Sequence, residues 1–119
     1  MGCVVARIPS EGQRKVCLIQ GCDCLPVSGG DKVGIALSTI GTNPINGLRH
    51  PATDDSTGWY IWCGEHFSDA LEFFQPLCVA HLMEKLPILA DLLALPPGYR
   101  FLTDGTYRDI WFDENLLHV

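Results

Sequence analysis

At 119 residues and 13.1 kDa the chain is one domain's worth, and 47% hydrophobic content with a mean hydropathy of +0.15 excludes disorder. Fourteen acidic against eight basic residues leave a net charge of -6 and a pI near 4.9. Phosphate contacts need clustered Lys and Arg, and only Arg14-Lys15 stand together, so binding to DNA or RNA is excluded.

The amino terminus, Met-Gly-Cys-Val-Val, offers no anchor: Ala6 stands where N-myristoylation wants Ser or Thr, and only two residues precede Cys3. The longest apolar stretch, Leu86 to Leu95, falls short of the ~20 residues that span a bilayer and is broken by Asp91. The expectation is a cytoplasmic protein with no membrane contact, folded as a single domain over 1–119.

In chain order, Lys15 to Gln20 reads as a short β-prone run closed by Gly21. Ser28-Gly29-Gly30-Asp31 is a turn, and Lys32 to Ile40 a strand with Val33, Ile35, Leu37 and Thr39 on one face. Gly41 to Gly58 is rich in Asn, Asp, Pro and Gly and reads as one long loop, a length that marks either a functional or a mobile segment. Trp59 to Cys63 is aromatic on both faces, which predicts a central strand.

Ser68 opens a helical signal with Asp69 and Glu72 in its first turn, interrupted by Pro76. Cys78 to Leu86 places Val79, Leu82, Met83 and Leu86 at helical spacing, and Pro87 starts another helix. Pro97-Gly98 fits the centre of a type II turn, and Asp104-Gly105 between two β-prone runs predicts a terminal hairpin over Tyr99–Leu102 and Tyr107–Phe112. The fold class is α+β: a mostly antiparallel sheet, two or three short helices and a C-terminal β-hairpin.

The six cysteines read as free thiols that pack as small hydrophobes. Three disulfides, which need an oxidising compartment, are one alternative; a zinc site on Cys17, Cys22 and Cys24 is another, with Cys63 and His81 as further members of a thiol- or metal-dependent enzyme or sensor. The weakness of the zinc site is spacing, since Cys22-x-Cys24 is tighter than a zinc knuckle. Cys78 and His81 share a helical face, which raises a thiol nucleophile, although paired catalytic groups usually come from different elements. There is no phosphate loop, no nucleophile elbow and no His-Glu-x-x-His. No catalytic residue and no cofactor is therefore assigned. The carboxylates fall around the aromatic strand and on the last hairpin, and an acidic face of this kind can steer and dock a basic protein. Asp54, Asp55, Trp59, Glu65, Asp104, Asp109 and Asp113 are the candidate partner contacts. A homodimer through the aromatics is a further possibility.

Two stretches carry a family pattern. Lys32-Val33-Gly34-Ile35 leads to Asp55-Ser56-Thr57-Gly58-Trp59-Tyr60-Ile61-Trp62-Cys63-Gly64-Glu65. Downstream stand Leu95-Pro96-Pro97-Gly98-Tyr99-Arg100-Phe101-Leu102 and Ile110-Trp111-Phe112-Asp113-Glu114-Asn115-Leu116-Leu117. Together they resemble immunity protein family thirty-three of bacterial polymorphic toxin systems, over about residues 15–117. Thr57 is an insertion in the family's Asp-Ser-Gly-Trp, Tyr99 replaces a Trp, and the Cys17–Cys24 stretch has no counterpart. The resemblance implies a non-enzymatic protein that binds and neutralises a cognate toxin, and it supplies no catalytic residue. A basic toxin would suit the acidic charge.

Overall fold

The computed structural model describes residues 8–68 and 72–118. Cys3, the amino-terminal motif and Asp69 lie outside the described residues. Among the described residues, six strands form one sheet in the order β4-β1-β3-β2-β5-β6. They are β1 (Lys32–Ile35), β2 (Ile45–Arg49), β3 (Trp59–Cys63), β4 (Gln75–Cys78), β5 (Tyr99–Thr103) and β6 (Arg108–Phe112). Only β1 and β3 run parallel; every other pairing is antiparallel. The α+β class, the mostly antiparallel sheet and the terminal hairpin are as the sequence predicts.

Alternation along the strands divides the sheet into two faces. Val33, Ile35, Ile45, Trp59, Ile61, Cys63 and Phe101 point to one side. Helix α1 (Glu11–Gln20), helix α2 (Val79–Lys85) and the 3-10 turn Pro87–Leu92 cover that face with Val16, Leu82, Leu89 and Leu92. A smaller cluster of Leu48, Trp62 and Leu116 occupies the other face, beneath Phe73 and Phe74.

The chain departs from the expectations at four places. Lys15 to Gln20 is the last part of α1 rather than a strand. A capping box starts that helix, Ser10 Oγ accepting from the Gln13 N–H and Gln13 Oε1 from the Ser10 N–H. Gly21, at φ 72°, ends it. Strand β1 stops at Ile35, and Leu37–Thr39 forms a 3-10 turn whose first N–H donates to the side chain of Gln75.

The predicted loop Gly41–Gly58 contains β2, which lies in the interior of the sheet between β3 and β5. Asn46-Gly47 is therefore strand, not turn. Gly47 is there because the Phe101 ring crosses it: a Cβ would stand 2.2 Å from that ring. Lastly, the helical signal opened by Ser68 gives no helix over residues 72–78: Glu72 and Phe73 are in a turn and Gln75–Cys78 is a strand, whose Pro76 is tolerated because β4 is an edge.

Trp59–Cys63 is central, flanked by β1 and β2. The Pro97-Gly98 turn closes with Tyr99 N–H donating to the Pro96 carbonyl and Gly98 at φ 98°. No helix among the described residues is long and apolar enough to cross a membrane.

Candidate functional site

The register places the seven candidate contacts in three different settings. Strand β2 ends and β3 begins at what we term the loop end of the sheet; β5 turns into β6 at the hairpin end. Asp54 and Asp55 are exposed at the loop end, in a turn closed by Thr53 N–H to the Ser56 carbonyl at 3.0 Å. Asp113 lies at the same end, after β6. Its carboxylate meets Arg100 at 3.2 Å and caps the Asn115 N–H at 3.1 Å. Glu65 and Asp104 lie at the hairpin end, with Asp109 near it on β6. Asp104 is held by its own turn, accepting from the Thr106 hydroxyl and from the backbone N–H groups of Thr106 and Tyr107. Those bonds, the hydroxyl's first, hold its carboxyl below the usual carboxylate range.

Trp59 requires a correction. It is 0% exposed, its ring N–H donates to the Leu93 carbonyl at 3.0 Å, and it packs on Phe101. A side chain satisfied inside the core has no surface to offer a partner.

At the loop end the backbone is fixed by two internal devices. Gly58 has φ 93°, and a Cβ on it would stand 1.9 Å from the His50 carbonyl oxygen, so the strand-to-loop crossing closes only around glycine. Beneath it, Arg49 is 2% exposed. Its guanidinium donates to the carbonyls of Thr57, Leu25 and Leu95 at 2.8–3.0 Å and to Leu93 at 3.5 Å, while lying over the Trp59 ring. Burial pulls its pKa down to about 10, opposed by the charge of Asp31, so it remains protonated at neutral pH. One buried cation thus ties three segments to the end of the sheet.

Segment 51–58 is the wall between two concavities, and Thr53 and Ser56 line both. On the outer face of the sheet, a cleft of about 440 Å³ is lined by Leu48, His50, Pro51, Tyr60, Phe67 and Phe74. Its aromatic walls are continuous: His50 meets Tyr60 edge-on at 5.6 Å, Tyr60 meets Phe74 at 5.2 Å, and Phe74 reaches Phe67 at 5.9 Å. His50 Nδ1 lies 2.9 Å from the Leu116 carbonyl, which only accepts, so Nδ1 donates its proton to that oxygen. Across the wall, a second concavity of about 630 Å³ is polar and carries Asp31, Lys32, Arg49, Asp54 and Asp55. An apolar slot beside an acidic rim is suited to an apolar side chain flanked by positive charge.

Sequence reasoning missed His50, Tyr60, Phe67 and Phe74 as members of one site. A usable signal existed: a central strand with aromatics on both faces needs cover on both, and Phe67, Phe73 and Phe74 are the only apolar cluster close behind it.

The five described cysteines are all free. Cys17, Cys22 and Cys24 do come together beneath α1, where burial, hydrogen bonds among the thiols and their mutual repulsion raise the Cys17 pKa. Cys17 and Cys24 also approach the Ala94 and Gln13 carbonyls at 3.7 and 3.6 Å. Burial likewise pushes the Cys63 thiol up. Among the described residues no three His, Cys, Asp or Glu side chains are placed to hold a metal ion.

The family model for the Imm33-like domain matches residues 12–113. The chain belongs to the Imm33-like domain family. That match spans all six strands and both α-helices apart from the first residue of α1. No curated protein and no solved structure matches it.

Proposed function

We propose that this Imm33-like protein is a non-enzymatic immunity protein that binds and neutralises a cognate bacterial toxin in the cytoplasm. The family match supports the immunity role. The docking surface we assign is the loop end: the aromatic cleft of His50, Tyr60, Phe67 and Phe74, with Asp54 and Asp55 beside it. The observation that carries this placement is the shared wall 51–58, which sets an apolar slot and an acidic rim against one another. A central apolar anchor ringed by charge is how small interfaces concentrate binding energy, and the charge accelerates encounter with a basic partner. Glu65, Asp104 and Asp109 lie toward the other end of the sheet and would serve only a partner that wraps the domain; Asp113 is at the loop end, engaged by Arg100.

The test uses the product of a toxin-like reading frame adjacent to this one. Reversing Asp54 and Asp55 to Lys is expected to slow association about tenfold or more at low salt. The melting temperature should be nearly unchanged, because both residues are exposed. Unchanged association at low salt would remove the loop end from the interface, and absence of any complex would remove the immunity reading itself.

A further inference from the structure

Cys78 differs from Cys17, Cys24 and Cys63 in what it faces. Cys17 and Cys24 point at backbone carbonyls, and Cys17 and Cys63 are buried. A carbonyl can only accept from S–H, so neither Cys17 nor Cys24 has a proton acceptor other than backbone at these contacts. Cys78 Sγ lies instead 3.0 Å from a ring nitrogen, His81 Nδ1. Cys78 is the last residue of β4 and stands just before α2, so the first turn of the helix brings His81 back over it. An imidazole nitrogen at that distance can take the thiol proton, which backbone carbonyls cannot.

Two further features favour reaction. Strand β4 is an edge of the sheet, and Cys78 is half-buried rather than sealed. Lys32 is directly opposite Cys78 in the β1–β4 ladder, on the same face, which sets their Cβ atoms about 4.5–5.5 Å apart. Lys32 is exposed, so its ammonium is free to meet a reagent that approaches the sulfur. The nearest acidic residue along that strand, Asp31, is engaged by the Ser28 N–H at 2.9 Å through its carboxylate.

We infer that the Cys78–His81 pair is a thiol modification site that exchanges with small, carboxylate-bearing disulfides of the glutathione class. The step balances within the two reactants. His81 Nδ1 takes the proton from Sγ, and the sulfur attacks one sulfur of the small disulfide. The old S–S bond breaks as the new one to Cys78 forms, and the departing thiolate takes up the proton. The disulfide is the oxidant, and Cys78 ends as a mixed disulfide. Lys32 selects for the carboxylates of the reagent. It also lines the polar concavity beside Asp54 and Asp55, so the adduct is placed at the rim of that concavity.

The experiment uses the full chain with Cys3 replaced by Ser, exposed to glutathione disulfide at neutral pH, with the adduct located by peptide mass over time. The expected result is Cys78 labelled first, with the other thiols reacting only once the protein is unfolded. His81→Gln is expected to slow labelling on the order of tenfold. The His81 side chain is exposed, so the melting temperature of this variant should be unchanged. Lys32→Gln should slow labelling about threefold with glutathione disulfide but not with an uncharged disulfide such as hydroxyethyl disulfide. First labelling at Cys22 or Cys24 would overturn the assignment without recourse to any variant. Equal rates for the wild type and His81→Gln would overturn it as well.

Discussion

The two faces of the sheet place an arginine in opposite circumstances. On the helix-covered face, Arg49 is buried with its charge distributed over backbone carbonyls and the Trp59 ring. On the outer face, Arg100 lies over Trp111, keeps 30% of its side chain exposed, and meets Asp113 at 3.2 Å, with Nε buried and without a hydrogen-bond partner. The first is locked by everything around it; the second has bonding capacity left over. The same contrast holds for the apolar residues. Leu82, Leu89 and Leu92 are fully buried on one face, whereas Phe67, Phe73 and Phe74 cover the other only in part and leave the cleft beside His50. The fully buried side chains are concentrated on one face of the sheet, and the cleft lies on the other, where we propose that a partner docks.

Substitutions separate the two faces. The largest effect is expected for Arg49→Leu, which strands several buried carbonyls and should cost about 3–5 kcal/mol by urea unfolding. A loss under about 1 kcal/mol would mean that water replaces the guanidinium and that this end of the sheet is not closed. Leu92→Ala, on the sealed face, should cost about 3 kcal/mol, whereas Phe74→Ala, half-buried over the cleft, should cost about 1–2. Partner binding should respond in the reverse order, strongly to Phe74→Ala and little to Leu92→Ala in the folded fraction. Equal effects of both on binding would erase the division of labour.

The smallest effect belongs to Asp104, at the exposed hairpin tip. Its folded pKa is depressed by the Thr106 hydroxyl and the turn's N–H groups. Its contribution to stability is therefore present above the unfolded value of about 4 and is lost as pH falls through the lower folded value. Asp104→Ala should lower the melting temperature slightly at pH 7, and the difference from the wild type should close in acid. A difference that persists well below pH 3 would show that the aspartate acts through something other than its charge.

Several elements were legible from local signals. The Asp104-Gly105 hairpin and the Pro97-Gly98 turn are properties of a few adjacent residues, and the aromatic run 59–63 announces a central strand because so much apolar surface needs two covered faces. The α1 helix is equally local in its Ser10–Gln13 capping box and Gly21 stop, but residues 15–20, taken from Lys15 without the cap, read as β-prone. Leu18 and Ile19 made that run look like strand; they are in fact the exposed side of the helix. Strand β2 is a different kind of miss. Asn46-Gly47 has the local chemistry of a turn, and only pairing with β3 on one side and β5 on the other makes it strand, with Phe101 closing over the glycine.

The candidate site divides in the same way. The sequence by itself determined an acidic α+β domain, its Imm33-like pattern and the placement of Asp54 and Asp55 in the chain, since charge, turn chemistry and motif order are written residue by residue. Only the tertiary structure decided that Trp59 belongs to the core, that Glu65 and Asp104 stand at the far end of the sheet from Asp54, and that His50 and Phe74 share one cleft. Strand order and register set those relations, and they depend on hydrogen bonds between segments far apart in the chain.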